Sequence, residues 1–219
     1  MKVPEIRYAT ADDGVRIAYQ DFGSGPPVIF VLPFFSHLEV QWEQPLITRM
    51  FDRMSAYLRV LLLENRGTGL SDRPENPSTL DDRVLDTQAI AGAANLRHFS
   101  VLGPFAGAQM CVAFAHAYPD RVERLLLANP RIGRSVKDEA DALKPDAPGP
   151  FAYSYKSEEH MLDTASKLGS GLTDSDLRSI AAHSPSALEH PEYLRWLPRY
   201  ERMWGSRESE KRQARSIAA

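Results

Sequence analysis

One cysteine stands in the whole chain, Cys111, so no internal disulfide can form and a reducing compartment suits the protein. Positive charge is not in excess: 26 Lys and Arg stand against 29 Asp and Glu, a formal net charge of -3. Nucleic acids and anionic membrane surfaces both demand a basic field, so neither is expected as a partner. Long hydrophobic runs are missing as well. The opening MKVPEIRYAT lacks the apolar stretch of a signal peptide, and no segment could cross a bilayer, which makes the cytoplasm the expected location. Internal repeats, HExxH spacing and paired cysteines are absent, and His160, His183 and His190 are scattered, so neither a metal nor a cofactor is expected. GTGLSD carries two glycines but no lysine, which excludes a phosphate-binding loop of the usual spacing.

What is present is an alternation of apolar strands and helices. Apolar residues make up 43% and charged residues 25% of 219, enough for one medium domain with a smaller attached element. EIRYAT and VRIAYQDF flank Asp13-Gly14, a hairpin signal because glycine accepts the positive φ of such a turn. VIFVL, RVLLLE, FSVLG and VERLLLAN read as strands buried on both faces, the habit of a parallel sheet. PLITRMFDRMSAYL has helical spacing through Leu46, Met50, Met54 and Tyr57, and Thr79 with Asp82 suits a capping box for the next helix. NRGTGLSDRPENPS reads as a long polar loop. AGAQMCVAFAHAY is almost free of charge and is expected to lie buried against the sheet, which makes Cys111 a core residue.

Beyond Pro130 the pattern changes. A polar, proline-rich stretch is followed by helical segments and no strand signal, so residues 1–130 are the expected sheet-bearing core and 131–219 a helical cap with C-terminal helices. Thr173 and Asp176 suit a cap for one of these helices. Tyr193, Trp196, Leu197, Tyr200, Met203 and Trp204 make an aromatic helical face that is either packed on the core or set over a hydrophobic cavity.

VLGPFAGAQM, residues 101–110, has the outline of a strand that enters a helix through a sharp turn flanked by Gly103 and Gly107. Together with RYATADDGVRIAYQDFGSGPPVIFV, SHLEVQW, NRGTGLSD and AYPDRVERLLLANP, it makes the chain resemble the α/β-hydrolase superfamily. Within it, the chain is most similar to hydrolase-like domains that precede bacterial nucleotide cyclases or helix-turn-helix regulators. The resemblance implies an α/β-hydrolase-like fold: a mainly parallel sheet begun by an antiparallel hairpin, lacking its last strands, with a helical C-terminal segment. It also places the nucleophilic serine at the centre of the turn, where this chain has Phe105.

A benzyl group has no oxygen or sulfur with which to attack a carbonyl. The resemblance implies an oxyanion hole from the backbone N–H groups of Phe34 and Ala106, and an acid and base after two later strands for which no signal exists. No catalytic residue is therefore assigned. The expected function is a non-hydrolytic ligand- or partner-binding homologue. A truncated or variant hydrolase completed by another segment, and a lyase- or isomerase-type enzyme using His37 or Glu39, stay open as alternatives. Candidates for lining a pocket are Phe34, Phe35, His37, Phe105, Trp196 and Tyr200, facing a small hydrophobic ligand. The strand at residues 122–129 becomes a sheet edge, to be covered by helices, a second copy or a partner.

Overall fold

The computed structural model describes residues 2–32, 36–76, 78–130 and 188–204. Six strands form one sheet in the order β1-β2-β4-β3-β5-β6. The first two, β1 (Arg7–Thr10) and β2 (Arg16–Gly23), pair antiparallel with Arg7 opposite Tyr19 and Thr10 opposite Arg16. Ala11 N–H to Val15 O at 2.9 Å closes their turn, and the Asp13 carboxylate accepts the Val15 N–H. β2 also runs antiparallel to β4 (Arg59–Leu63). β3 (Pro27–Val31) lies between β4 and β5 (Phe99–Pro104), parallel to both, and β6 (Val122–Ala128) runs parallel to β5 at the edge. This is the expected architecture: mainly parallel, with an N-terminal antiparallel hairpin, and with no strand past β6 among the described residues.

The period of two along each strand divides the core into two layers. Ile17, Ile29, Val31, Leu61, Leu63 and Val101 face one side and pack with α2 (Leu80–Ala93) and α3 (Gly107–Ala117) through Ile90, Ala91, Met110, Cys111 and Phe114. Ala18, Val28, Phe30, Val60 and Leu62 face the other side, against Trp42 and the Phe51 of α1 (Pro45–Ser55). Helices on both faces are the geometry that right-handed crossovers between parallel strands produce. α2 opens with the expected capping box: Asp82 accepts the Thr79 N–H at 2.7 Å, and the Thr79 hydroxyl accepts the Asp82 N–H at 3.2 Å.

Two expectations are corrected. Of the expected stripe on α1 Met54 turns inward, together with Ile47 and Phe51, while Leu46 and Met50 are 54% and 43% exposed and Tyr57, past the end of the helix, is 78% exposed. The ring of Phe51, seated against Trp42 and Phe22, sets that face. β6 is not a buried strand: Glu123 to Leu126 are exposed, because it is the edge and has β5 on one side only. The polar loop after β4 folds inward at its start. Asn65, Arg66, Thr68 and Ser71 are all buried, and internal hydrogen bonds replace their water.

The chain divides into two compact units, Met1–Ile132 and Gly133–Ala219. Of the second, the described part is chiefly α4 (Pro191–Trp204), where Trp196 stacks on Tyr200 with ring centroids 4.4 Å apart. The proposed capping pair Thr173 and Asp176 lies outside the described residues. Among the described residues no helix is long and apolar enough to cross a membrane.

Candidate functional site

Because β4, β3 and β5 are neighbours and parallel, their carboxyl ends lie side by side, and the loops that leave them converge. In open α/β sheets this is where ligands bind. Three segments meet there: the loop after β3 carrying Ser36 and His37, the loop after β4 from Glu64 onward, and the turn at Phe105. Asn65 ties two of them by donating its side-chain N–H to Leu32 O at 2.8 Å.

The turn has the geometry of a strained elbow. β5 ends at Pro104, Phe105 takes φ +50, and the chain enters α3 through Ala106. A positive φ on a bulky residue costs on the order of 1–3 kcal/mol. Of the two outcomes open to this turn, relaxed or strained, the structure has the strained one. Its flanking glycines are steric requirements. A Cβ on Gly107 would lie 2.5 Å from Val31 O, and one on Gly103 would lie 2.5 Å from Gly107 O. The helix thus presses directly on the ends of β3 and β5 and projects residue 105 outward. The Phe105 side chain is 45% exposed, while its N–H is held by Ala128 O at 3.0 Å.

Ala106 N–H, the assigned half of the oxyanion hole, donates to no acceptor among the described residues. Phe34, the other half, lies outside the described residues, as does Phe35. His37 is 3% exposed, and its Nδ1 accepts from the Glu39 and Val40 N–H groups at 3.3 and 3.4 Å, capping the short helical turn Val40–Glu43. That arrangement engages Nδ1 with the backbone of its own segment. Glu39 is exposed at the surface of the same turn. Cys111 is fully buried one and a half turns into α3, and burial pushes its thiol up to about 12, which leaves it unreactive. Trp196 and Tyr200 belong to the second unit, where each is half-buried. Among the described residues no three His, Cys, Asp or Glu side chains are grouped to hold a metal ion.

The loop after β4 contributes two charged groups that a reading of the residues alone did not single out. Arg66 donates from Nε to both Asp86 oxygens at 3.0 Å and from Nη1 to Asp13, joining the loop to α2 and to the hairpin turn. Burial disfavours its charge, but Asp86 and Asp13 outweigh burial, and the guanidinium is held above its ordinary pKa. Glu64 is fully buried at the carboxyl end of β4, and burial pushes its carboxyl up to about 8. The one signal in the sequence was an acidic residue closing an otherwise apolar strand, RVLLLE.

No protein-family profile matches the chain. It is similar to 2-(acetamidomethylene)succinate hydrolase of Mesorhizobium japonicum, 29% identical over 112 residues, which are 51% of this chain and 38% of that protein. It is also similar to cis-3-alkyl-4-alkyloxetan-2-one decarboxylase of Shewanella oneidensis, 25% identical over 134 residues, 58% of this chain and 39% of that one. The chain spans about two-fifths of the length of these curated relatives. Among solved structures, a hydrolase from Pseudomonas aeruginosa superposes with a TM-score of 0.67 at 20% identity, over 98% of this chain and 72% of that one.

Proposed function

From the premise that the chain has the α/β-hydrolase fold, we propose that it is a non-hydrolytic member of that structural class, binding a small apolar ligand at the elbow. The observation that carries this reading is Phe105: the elbow keeps its strained backbone and both tight glycine contacts, yet projects a phenyl ring where the chemistry needs a nucleophile. Around it, Ala106 N–H offers one hydrogen bond to a ligand carbonyl, and apolar contact with the ring supplies the rest. The decarboxylase among the relatives is a named case of chemistry other than hydrolysis in a similar chain.

The test is thermal-shift and calorimetric titration with short esters, lactones and amides. One or more is expected to stabilise the protein without being consumed, and Phe105→Ala to weaken that binding by about tenfold or more, the loss of a partly buried ring. Stabilisation by none of them, or turnover of the ligand, rejects the reading.

The edge of β6 belongs to the same proposal. Leu125 and Leu126 are 41% and 40% exposed on a seven-residue strand that, among the described residues, has a partner on one side only. An apolar open edge invites pairing, and a second copy of the chain is the cover we assign to it. Sedimentation at micromolar concentration is expected to give twice the chain mass, with Leu126→Lys returning it to the monomer. A monomer at every concentration contradicts the assignment.

A further inference from the structure

Glu64 joins both loops that frame the elbow end of the sheet. One carboxyl oxygen accepts the Leu38 N–H at 2.9 Å from the loop after β3, and the other accepts the Leu70 N–H at 2.6 Å from the loop after β4. Buried Ser36 lies beside the same carboxyl, its Oγ 3.5 Å from Thr68 Oγ1. The backbone of Glu64 is anchored too: its N–H donates to Ala18 O at 3.1 Å, and its carbonyl accepts from the Ser71 hydroxyl at 2.8 Å. Gly69, at φ +45, leaves room for the carboxyl, since a Cβ there would overlap its oxygens. The group is fully buried and takes no part in the elbow chemistry described above.

We propose that Glu64 is a proton-controlled clasp, holding the two loops together in its neutral form and releasing them as its proton is lost to solvent.

The physical reason is that the closed site cannot solvate a carboxylate. Two amides and a hydroxyl stabilise the charge, and Arg73, whose guanidinium bonds Gly69 O at 2.8 Å, faces it; burial still outweighs them all. The one titratable side chain in the 36–38 loop, His37, has its Nδ1 committed to two amides of its own segment. A protonated carboxyl keeps both N–H contacts through its two oxygens. Opening exposes the group to water, where its ordinary value is 4.5, against about 8 when closed. The open form therefore binds fewer protons between those values. Closure is fully favoured below about pH 4.5 and weakens as pH rises to about 8, above which the dependence levels off.

Hydrogen exchange on the whole chain reads this directly at the Leu38 and Leu70 amides. After correction for intrinsic exchange, the opening equilibrium at both is expected to rise about tenfold per pH unit from roughly pH 5 to 8 and then flatten. Strand amides of β3 and β4 serve as the reference. In Glu64→Gln the same two amides are expected to show no such slope. A slope equal in wild type and variant, or none in wild type, overturns the clasp. Should the variant fail to fold, the carboxyl carbon of Glu64 in wild type decides by NMR: titration near 8 supports the proposal, and titration near 4.5 refutes it. No ligand enters these measurements, so their failure leaves the elbow reading standing, and failure of the ligand titration leaves the clasp standing.

Discussion

Asp86→Ala is expected to lower the free energy of unfolding by about 3–5 kcal/mol, the cost of breaking a buried ion pair from one side. The residue is 1% exposed, and its two oxygens receive the Nε and Nη2 of an Arg66 that is itself 2% exposed. Buried Arg83 lies on the same turn of α2, and burial lowers its pKa to about 10 with Asp86 pulling in the opposite direction. Without Asp86 two buried guanidiniums stand on neighbouring elements, with the more exposed Asp13 and Asp82 beside Arg66. Asp13→Ala, at a partly exposed site, is expected to cost about 1 kcal/mol or less. Pairing Asp86→Ala with Arg66→Met removes the stranded charge and is expected to recover a large share of the loss. Urea unfolding measures all three. A loss below about 1 kcal/mol for Asp86→Ala would show that water reaches the pair freely.

Phe105→Ser is expected to leave the protein without acyl chemistry, with turnover of activated esters about 10⁴-fold or more below that of a complete triad hydrolase. Serine alone is a poor nucleophile and needs a ring nitrogen to take its proton. Among the described residues the histidine at this end of the sheet is His37, whose Nδ1 is turned to two backbone amides of its own segment. Glu64 is closed off between two loops and presents no free oxygen to the elbow. The variant is still expected to fold well, since residue 105 is half-exposed and serine meets the same φ. Steady-state assays with p-nitrophenyl esters check the rate. A burst followed by turnover at a hydrolase rate would mean that a base and an acid do reach residue 105.

Much of the fold was legible in the residues because the strands are continuous apolar runs and the punctuation between them is strong. Asp13-Gly14 marks the hairpin, Thr79 with Asp82 marks the start of α2, and the glycine spacing at 103 and 107 marks the elbow. Local chemistry alone suffices for such features. The inward face of α1 was legible in part: Met54 of the expected stripe turns inward, but Ile47 and Phe51 take the places of Leu46 and Met50. Tertiary contact with Trp42 selects Phe51. β6 shows the same limit in another form: VERLLLA reads as buried wherever it sits, and exposure follows from its place at the end of the strand order. At the site, the phenylalanine at the elbow could be read from one letter, whereas Arg66 stood in a loop read only as polar and Glu64 closed a run read as a buried strand. Their burial depends on hydrogen bonds to residues 20 to 53 positions away, and no local pattern encodes those.

Intact-protein mass spectrometry after incubation with a fluorophosphonate and with a p-nitrophenyl ester addresses the empty attack point most directly. Wild-type protein is expected to keep its unmodified mass with both reagents at times that saturate a serine hydrolase. A mass gain of one phosphonyl or acyl group, mapped to a side chain at the carboxyl ends of β3, β4 or β5, would contradict the account.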